Sequence, residues 1–463
     1  MQKVISHIYF IGIGGAGLSA IATVLLQKGY TVSGSDIQAL PVMDRLAKQG
    51  ATIFIGHRAE NLDANPDLVL ISSAISADNP ELIEARRRGL PVVKRAEWLG
   101  QMMAGQVGIA VAGTHGKTTT TAMIAFILEQ AGRQPTYIIG GFVPDLNSNA
   151  AAGRGETFVI EADEYDHMFL GLRPHIAVLT IVEWDHPDIY PTPADFNRAF
   201  VDFVRLVPAD GLIVGCGDDP GVQAVIEPAK SAVIKYGLKA GNDWQALDLR
   251  LNERGGYDFK VRQAGLNSQP SLTVSLAIPG VHNVYNALAA LIVAYRQGIA
   301  PQAAAEILGR FSGVKRRFEQ KGEVNGITII DDYAHHPTEI KVTLAGARAR
   351  YPGLALWAVF QPHTFSRAVA LIDEFAHAFD EADHVIVVDI YASREKDEGI
   401  ISSRQIVERM AHPDARYIGP LSEAADYLVR NLAAPAVLLT LGAGDGDRVG
   451  EWVLERLAYD LAA

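Results

Sequence analysis

The chain has 463 residues, 49% of them hydrophobic and 20% charged, with a formal net charge of −12. That length suggests roughly three domains, and the apolar fraction is enough for several cores. The acidic balance argues against nucleic acid as the main partner. A single cysteine, Cys216, excludes an intrachain disulfide framework and fits a reducing compartment. It reads as a small buried residue at the end of the apolar run Leu212 to Gly215. No apolar stretch approaches the ~20 residues that cross a membrane, and no signal peptide is evident. The expectation is a cytoplasmic protein without membrane insertion, monomer or homodimer.

At the N-terminus, Ile8 to Ile11 reads as a strand and Gly12-Ile13-Gly14-Gly15-Ala16-Gly17 as a glycine loop. A helix follows, with Leu18, Ile21, Ala22, Leu25 and Leu26 at helical spacing. Thr31 to Asp36 is the next strand, and its terminal acid falls 19 residues after Gly17. Glycines at this spacing let a diphosphate approach the backbone, and the acid can take a ribose hydroxyl. The pattern does not say which nucleotide binds, and a purely structural glycine turn is the alternative. Leu68 to Ile71 and Pro80 to Arg88 continue the strand–helix alternation to about residue 104, where Ala104-Gly105-Gln106 reads as a linker.

The second unit opens with the apolar run Ile109 to Ala112, the loop Gly113-Thr114-His115-Gly116-Lys117-Thr118-Thr119-Thr120 and an apolar helix through Leu128. Strand, glycine loop and helix at this spacing form a triphosphate cradle. Backbone N–H groups and the helix N-terminus face the phosphates, Lys117 reaches the outer ones, and the Thr118 hydroxyl faces magnesium. Val111 stands where the usual loop has its first glycine, so an ordinary strand-to-helix turn is the competing interpretation. Strands at Thr157 to Ile160 and Ile176 to Leu179 suit a buried parallel sheet. They end in Glu161-Ala162-Asp163-Glu164 and Glu183-Trp184-Asp185-His186, whose carboxylates and imidazole suit magnesium beside the loop. Residues 231 to 278 alternate in polarity, as at Leu272, Val274 and Leu276, and suggest a smaller antiparallel piece.

The third unit begins near Gly313, with strands at Ile327 to Ile330, Leu356 to Val359, Val385 to Val388 and Val437 to Thr440 alternating with helices. Asp331-Asp332-Tyr333-Ala334-His335-His336-Pro337 follows the first strand, with Pro337 placed to open a helix. Phe360-Gln361-Pro362-His363-Thr364-Phe365-Ser366-Arg367 follows the second. Three histidines and an arginine just after strand ends point to a ligand-facing edge. The fold class is therefore α/β in three domains: an N-terminal Rossmann-like domain over 1–104, a central P-loop ATPase-like parallel sheet over 105–312, and a C-terminal Rossmann-like domain over 313–463.

Two phosphate loops in one chain suit an enzyme that joins a nucleotide-linked substrate to another molecule using ATP. The combination resembles the Mur ligases, the ATP-dependent amide-forming enzymes of peptidoglycan synthesis and so of cell-wall biogenesis, cell shape and division. The resemblance covers nearly the whole chain. It rests on the two glycine loops, Ser72-Ser73-Ala74-Ile75, Glu161 to Glu164, Asp185-His186, Pro279 to Asn283, Asn286-Ala287, Arg316-Arg317-Phe318, Asp331 to Pro337, and Phe360 to His363. The variant loop without the first glycine is typical of these ligases, and the alanine-adding branch is the nearest.

The resemblance implies UDP-N-acetylmuramate at Gly12, Gly14, Gly15, Gly17, Asp36, Ser72 and Ser73. It implies ATP at Gly113, Thr114, Gly116, Lys117, Thr118, Thr119, His282, Asn283, Arg317 and Asp332. Mg2+ would sit at Thr118 beside the ATP phosphates and a second Mg2+ at Glu161 and His186, with L-alanine at Tyr333, His335, His363 and Arg367. Lys117, His186 and Arg367 are the expected catalytic residues. The implied reaction forms an acyl phosphate on the muramate carboxylate, which the alanine amine then attacks. Two departures stand out. Tyr165 replaces the serine usual in the alanine-adding branch and resembles the ligase that adds a tripeptide to UDP-N-acetylmuramate, while Thr364 replaces a common arginine. Pro187 to Asp210 contains no lysine, so no carbamylated lysine is expected there. Outside the family, a nicotinamide-dependent oxidoreductase is the remaining alternative.

Overall fold

A computed structural model describes residues 5–264 and 272–459. The chain divides into two compact units. One comprises Met1–Glu183, Asn197–Trp244 and Ala289–Ala304, the other Trp184–Phe196, Gln245–Leu288 and Ala305–Ala463.

The first unit holds two sheets, the first parallel throughout and the second parallel apart from the antiparallel pairing of Thr136–Val143 with Ser148–Ala151. In the N-terminal sheet, β1 (His7–Ile11), β2 (Thr31–Asp36), β3 (Thr52–Ile55), β4 (Leu68–Ile71) and β5 (Val92–Lys94) are ordered β3-β2-β1-β4-β5. All the pairings are parallel. The order reverses at β1, the position at which open α/β sheets bind ligands beyond the strand C-termini. The glycine loop after β1, Asp36 at the end of β2 and Ser72-Ser73 after β4 therefore share one edge. The helix Ala16–Gln27 starts directly from this loop and buries Leu18, Ile21, Ala22, Val24 and Leu25.

The second sheet contains β6 (Val107–Ala112), β7 (Thr136–Val143), β8 (Ser148–Ala151), β9 (Thr157–Glu161), β10 (Ile176–Leu179), β11 (Leu212–Cys216) and β12 (Ala232–Gly237), ordered β12-β11-β10-β6-β9-β7-β8. The central strand β6 lies between β9 and β10, which brings the loops after all three to one edge. The helix Lys117–Gln130 after β6 is buried from Thr118 to Leu128, so it lacks a polar face. Cys216 is buried at the end of β11, where burial pushes its thiol up to about 11.

The antiparallel piece expected over residues 231–278 starts later than the sequence suggests. The short helix Pro220–Ile226 acts as a crossover, so β12 returns parallel to β11. The later strands are β13 (Trp244–Leu251), β14 (Tyr257–Gln263) and β15 (Leu272–Ser275). The last two pair antiparallel, with Phe259 opposite Val274. Residues 265–271, within the expected piece, lie outside the described residues.

The C-terminal sheet of the second unit has β16 (Glu319–Val324), β17 (Ile327–Asp332), β18 (Ala355–Phe360), β19 (His384–Val387), β20 (Ala415–Tyr417) and β21 (Ala436–Leu441), ordered β16-β17-β21-β18-β19-β20. Among the described strands of this sheet, only the β16–β17 pairing is antiparallel. Alternate residues feed two cores, with Ile330, Ala358, Phe360 and Leu439 on one face and Ile329, Trp357, Val359 and Leu438 on the other. Burial on both faces explains the unbroken apolar runs in the sequence. Because β21 lies between β17 and β18, the loops after Asp332, Leu441 and Phe360 meet at one edge. No helix among the described residues is long and apolar enough to cross a membrane.

Candidate functional site

In the first unit, the Gly113–Gly116 loop makes a tight turn from β6 into its helix. Gly113 has φ +137° and Gly116 φ +80°, both in the left-handed region that favours glycine. A side chain on Gly113 would also collide with the Thr180 hydroxyl. The loop is tied to the segment after β10. Thr114 N–H donates to Ile181 O at 2.7 Å, Thr114 Oγ1 to Glu183 O at 2.6 Å, and Thr180 Oγ1 to His115 O at 2.5 Å. His115 Nε2 lies 3.2 Å from Glu183 Oε2.

Lys117 Nζ donates to Gly113 O at 2.6 Å, Thr114 O at 3.1 Å and Glu164 at 2.9 Å. Burial acts to lower its pKa, but Glu164, Glu161 and Asp163 outweigh that and hold the ammonium above the usual lysine range. Thr118 Oγ1 donates to Glu161 Oε1 at 3.0 Å, while Gly140 N–H donates to Glu161 Oε2 at 2.8 Å. Loop, lysine, hydroxyl and two carboxylates thus converge at the edge where β6 and β9 end. Thr119 is buried in the first turn of the helix.

At the other glycine loop, Gly12 and Ile13 N–H donate to Ser35 O at 2.8 and 2.9 Å. Asp36 Oδ2 accepts from Gly14 N–H at 2.9 Å and Oδ1 from Ile37 N–H at 2.8 Å. A Cβ on Gly17 would meet the Arg95 guanidinium, and one on Gly14 would meet Leu40 and Asp36. Gly15, the residue before the helix, has φ −64° and only Gly12 O near a would-be Cβ, at 3.4 Å. Ser72 and Ser73 follow β4, with Ser72 O accepting from Ile75 N–H at 3.3 Å.

The second unit gathers the remaining expected residues into two groups. In the first, Asp185 and Arg367 are each 4% exposed at the side chain. Arg367 Nε donates to Asp185 Oδ1 at 2.9 Å and Nη2 to Oδ2 at 3.2 Å, while Nη1 donates to His363 O at 3.3 Å and contacts His363 Nδ1 at 3.2 Å. Burial opposes ionisation of Asp185, but the Arg367 and His186 charges hold its carboxyl well below the usual range. His186, expected among the metal ligands, has φ +55°. Its N–H donates to Asp185 Oδ1 at 2.7 Å, and its carbonyl accepts from Ile189 and Tyr190.

His335 Nδ1 lies 2.9 Å from Tyr333 O and 3.4 Å from Glu339 Oε2, both acceptors, so Nδ1 carries the proton and Nε2 the lone pair. His363 has the opposite arrangement, since Arg367 can only donate to its Nδ1. Their ring centroids lie 5.7 Å apart. Burial pushes His335 down to about 3 and His363 down to about 4, with the Arg367 charge adding to both.

The second group surrounds Asp332. Its carboxylate accepts from Phe318 N–H at 2.7 Å and Ala334 N–H at 2.8 Å, and burial raises its pKa to about 6 against the pull of Arg317. The Arg317 guanidinium lies 5.0 Å from the Tyr333 ring centroid and 3.7 Å from Glu339. His282 opens the helix His282–Arg296. Its Nδ1 is buried with no hydrogen-bond partner among the described residues, and burial together with Arg317 pushes the ring down to about 4. Asn283 donates to Pro279 O at 2.6 Å and accepts from Asn286 at 3.0 Å.

Sequence reasoning misses several participants. Asp185 stands there among the carboxylates suited to magnesium, yet it pairs with Arg367 and organises that group. Glu339 reaches both His335 and Arg317. Gly442 to Asp447 after β21 forms a third glycine loop, stitched by Gln361, which donates to Asp445 at 2.8 Å and accepts from Gly446 N–H at 2.9 Å. The run Leu441-Gly442-Ala443-Gly444-Asp445-Gly446 after an apolar strand was the available signal. Arg316 is a strut that binds Asp331 at 2.9 Å and the carbonyls of Gly442 and Gly444 at 3.0 Å.

Three family models match the chain: the Mur ligase family catalytic domain over residues 7–107, the Mur ligase middle domain over 111–294, and the Mur ligase glutamate ligase domain over 316–444. A UDP-N-acetylmuramate–L-alanine ligase of Caldanaerobacter subterraneus subsp. tengcongensis is 44% identical over 452 residues, covering 97% of each chain. One from Geobacter sp. (strain M21) is 45% identical over 462 residues, covering 99% of each. Among solved structures, the UDP-N-acetylmuramate-alanine ligase of Thermotoga maritima superposes with a TM-score of 0.81 at 29% identity, covering 99% of this chain and 100% of that one. A murein peptide ligase from Psychrobacter arcticus gives 0.73 at 28% identity, covering 98% of each chain. Three matching domain models in family order, with full-length relatives at this identity, show that the chain belongs to the Mur ligase family.

Proposed function

We propose that this chain joins L-alanine to the carboxylate of UDP-N-acetylmuramate, with ATP cleaved to activate that carboxylate. The observation that carries the reading is Lys117 in its glycine loop, paired with Glu164 beside the Thr118–Glu161 contact, in a chain whose full-length relatives at 44–45% identity carry that activity in their names. The tripeptide acceptor and the oxidoreductase are not favoured, because the relatives at this identity are alanine ligases and an oxidoreductase needs no lysine-bearing triphosphate loop. Residues 1–104, 105–312 and 313–463 are assigned to the UDP-sugar, ATP and amino acid.

The ATP triphosphate takes the Gly113–Gly116 loop and the helix N-terminus, and it replaces Glu164 as the partner of Lys117. The ammonium stays paired throughout and stabilises the charge that develops as the phosphoryl group moves. Adenine lies at His282 and Asn283, where the orphaned Nδ1 supplies an unused polar atom. Arg317 and Asp332 complete the ATP contacts. The Thr118 hydroxyl would face the magnesium that accompanies the ATP phosphates, and Glu161 and His186 are proposed for a second magnesium near the substrate carboxylate. When bound, these ions would shield the phosphate charge from the incoming carboxylate.

The amino acid lies by Tyr333, His335, His363 and Arg367. His335 Nε2 accepts from the amine and keeps it oriented, since burial holds that imidazole neutral. Arg367 reaches the amino-acid carboxylate by sharing its fork with Asp185. The UDP-sugar binds along the Gly12–Gly17 loop with Asp36, Ser72 and Ser73. The amine attacks the acyl phosphate, and inorganic phosphate leaves from the tetrahedral intermediate.

Phosphate release from ATP with UDP-N-acetylmuramate, measured while the acceptor is varied, tests the reading. L-alanine should support turnover and the tripeptide should not. Release that depends on the tripeptide, or no release with either, would refute it.

A further inference from the structure

Helix Pro80–Arg87 places Glu81 in its first turn, capped by the Asn79 side chain. Glu81 is 0% exposed, yet its two oxygens take five protein donors. Oε1 accepts from Tyr9 Oη at 2.8 Å, Asn61 Nδ2 at 2.6 Å and Arg58 N–H at 3.3 Å. Oε2 accepts from Ser35 Oγ at 2.6 Å and lies 3.0 Å from His57 Nδ1. A buried acid satisfied this completely acts as a structural pin.

What it pins is the ligand edge of the N-terminal sheet. Ser35 is the next-to-last residue of β2, and its carbonyl accepts the N–H groups of Gly12 and Ile13, the first residues of the glycine loop. The next residue, Asp36, holds Gly14 N–H through its side chain, while its carbonyl accepts from Gly56 N–H at 2.7 Å in the turn after β3. His57 and Arg58 follow in that turn, and Asn61 ties back to Gly56 O at 3.0 Å. One carboxylate thus spans the turns after β2 and β3 and, through Ser35, the glycine loop. It also fixes the His57 ring. Ser35 has one hydroxyl proton, committed to Glu81, so Nδ1 of His57 faces only acceptors and donates to them.

We propose that Glu81 is the positioning residue of the nucleoside-diphosphate half-site: it holds the glycine loop, Asp36 and the His57 ring edge in the arrangement that receives the UDP portion of the substrate. The proposal rests on the assignment of this loop to UDP-N-acetylmuramate. Tyr9 binds the same carboxylate from within the strand core, where burial pushes its hydroxyl up and keeps it a donor. Tyr9 therefore reports on fold stability alone, whereas Ser35 reports on the loop.

The test compares Glu81→Gln, Ser35→Ala and Tyr9→Phe by steady-state kinetics with each substrate varied, alongside calorimetric UDP-N-acetylmuramate binding. The amide introduced by Glu81→Gln turns an N–H2 group toward groups that themselves donate. The expected result is a rise of at least tenfold in KM and Kd for UDP-N-acetylmuramate in Glu81→Gln, with KM for ATP and L-alanine and kcat within twofold. Ser35→Ala should shift the same constants severalfold. Tyr9→Phe should lower the melting temperature without moving KM. If Glu81→Gln does not fold, Ser35→Ala against Tyr9→Phe decides the matter. Unchanged UDP-N-acetylmuramate constants in Ser35→Ala, equal losses for all three substrates, or a KM shift in Tyr9→Phe matching that of Ser35→Ala would overturn the proposal. No UDP-N-acetylmuramate binding by the unmodified protein would overturn the loop assignment itself.

Discussion

Arg367 and Asp185, 182 residues apart in sequence, form a two-pronged buried ion pair, with Nε to Oδ1 at 2.9 Å and Nη2 to Oδ2 at 3.2 Å. The guanidinium proposed for the amino-acid carboxylate thus already holds a carboxylate of its own chain. The pair also anchors His186 on one side and His363 on the other.

Removing one member of such a pair leaves the other charge buried and uncompensated, at a cost of about 3–5 kcal/mol. Arg367→Ala should lose about that much stability in urea unfolding and should lower kcat as well as raise the alanine KM. Replacing both, as Arg367→Met with Asp185→Leu, should restore most of the stability but not turnover. A loss below about 1 kcal/mol in the single variant would show the pair to be as weak as a solvated one. Because the Asp185 pKa is depressed, its stabilisation is present above the unfolded carboxylate value and is lost as pH falls through the folded one.

Lys117→Ala should fold and lower turnover by at least ~100-fold, since the preorganised charge on the transferring phosphoryl group is lost. Circular dichroism together with phosphate release decides this, and near-normal turnover in the folded variant would reject the role. Lys117→Ala with Glu164→Gln should be more stable than Lys117→Ala alone, because Glu164 no longer faces the loop without its cation.

His363 gives a pH signature. Its folded pKa is lowered from 6.5 to about 4, so between those values the unfolded chain binds a proton that the folded chain refuses. Stability should therefore fall as pH drops below about 6.5, down to about 4, by on the order of 1–3 kcal/mol from this group. His363→Gln should flatten that limb. Asp332, raised to about 6, acts in the opposite direction, but it is present in both proteins and cancels in the difference. Identical pH profiles of unfolding would contradict the assignment.

Two glycines separate fold from binding. Gly113→Ala places a Cβ on the Thr180 hydroxyl at a left-handed φ, so it should cost about 2 kcal/mol or more and lose ATP binding. Gly15→Val should keep the fold, because the backbone there is ordinary and the nearest atom is Gly12 O at 3.4 Å. It should nevertheless weaken UDP-N-acetylmuramate binding, since the side chain would stand where the diphosphate is proposed to approach, and leave ATP binding largely unchanged. Equal calorimetric losses for both ligands would sever the link between this loop and the UDP-sugar.

Much of the fold was legible because its signals are local. The apolar runs at Leu68–Ile71 and Ile176–Leu179 are strands over the same residues in the structure, since burial on both faces leaves no polar alternation to blur them. Pro337 opens a helix as expected, with its preceding His336 as cap. The strand at Ala232–Gly237 was misplaced in an antiparallel piece, because a seven-residue crossover helix carries too little periodicity to announce a parallel return.

By itself, then, the sequence determined the two strand–glycine loop–helix turns, which strands carry acids and histidines at their ends, and the family. Spacing within a dozen residues is enough for a turn, a helix start or a buried strand. The tertiary structure alone decided the partners: Lys117 with Glu164, Arg367 with Asp185, Glu81 with Ser35 and His57. These contacts span 47, 182, 46 and 24 residues. Only the order of strands in each sheet brings such distant loops to one edge, and no local propensity encodes which carboxylate meets which cation there.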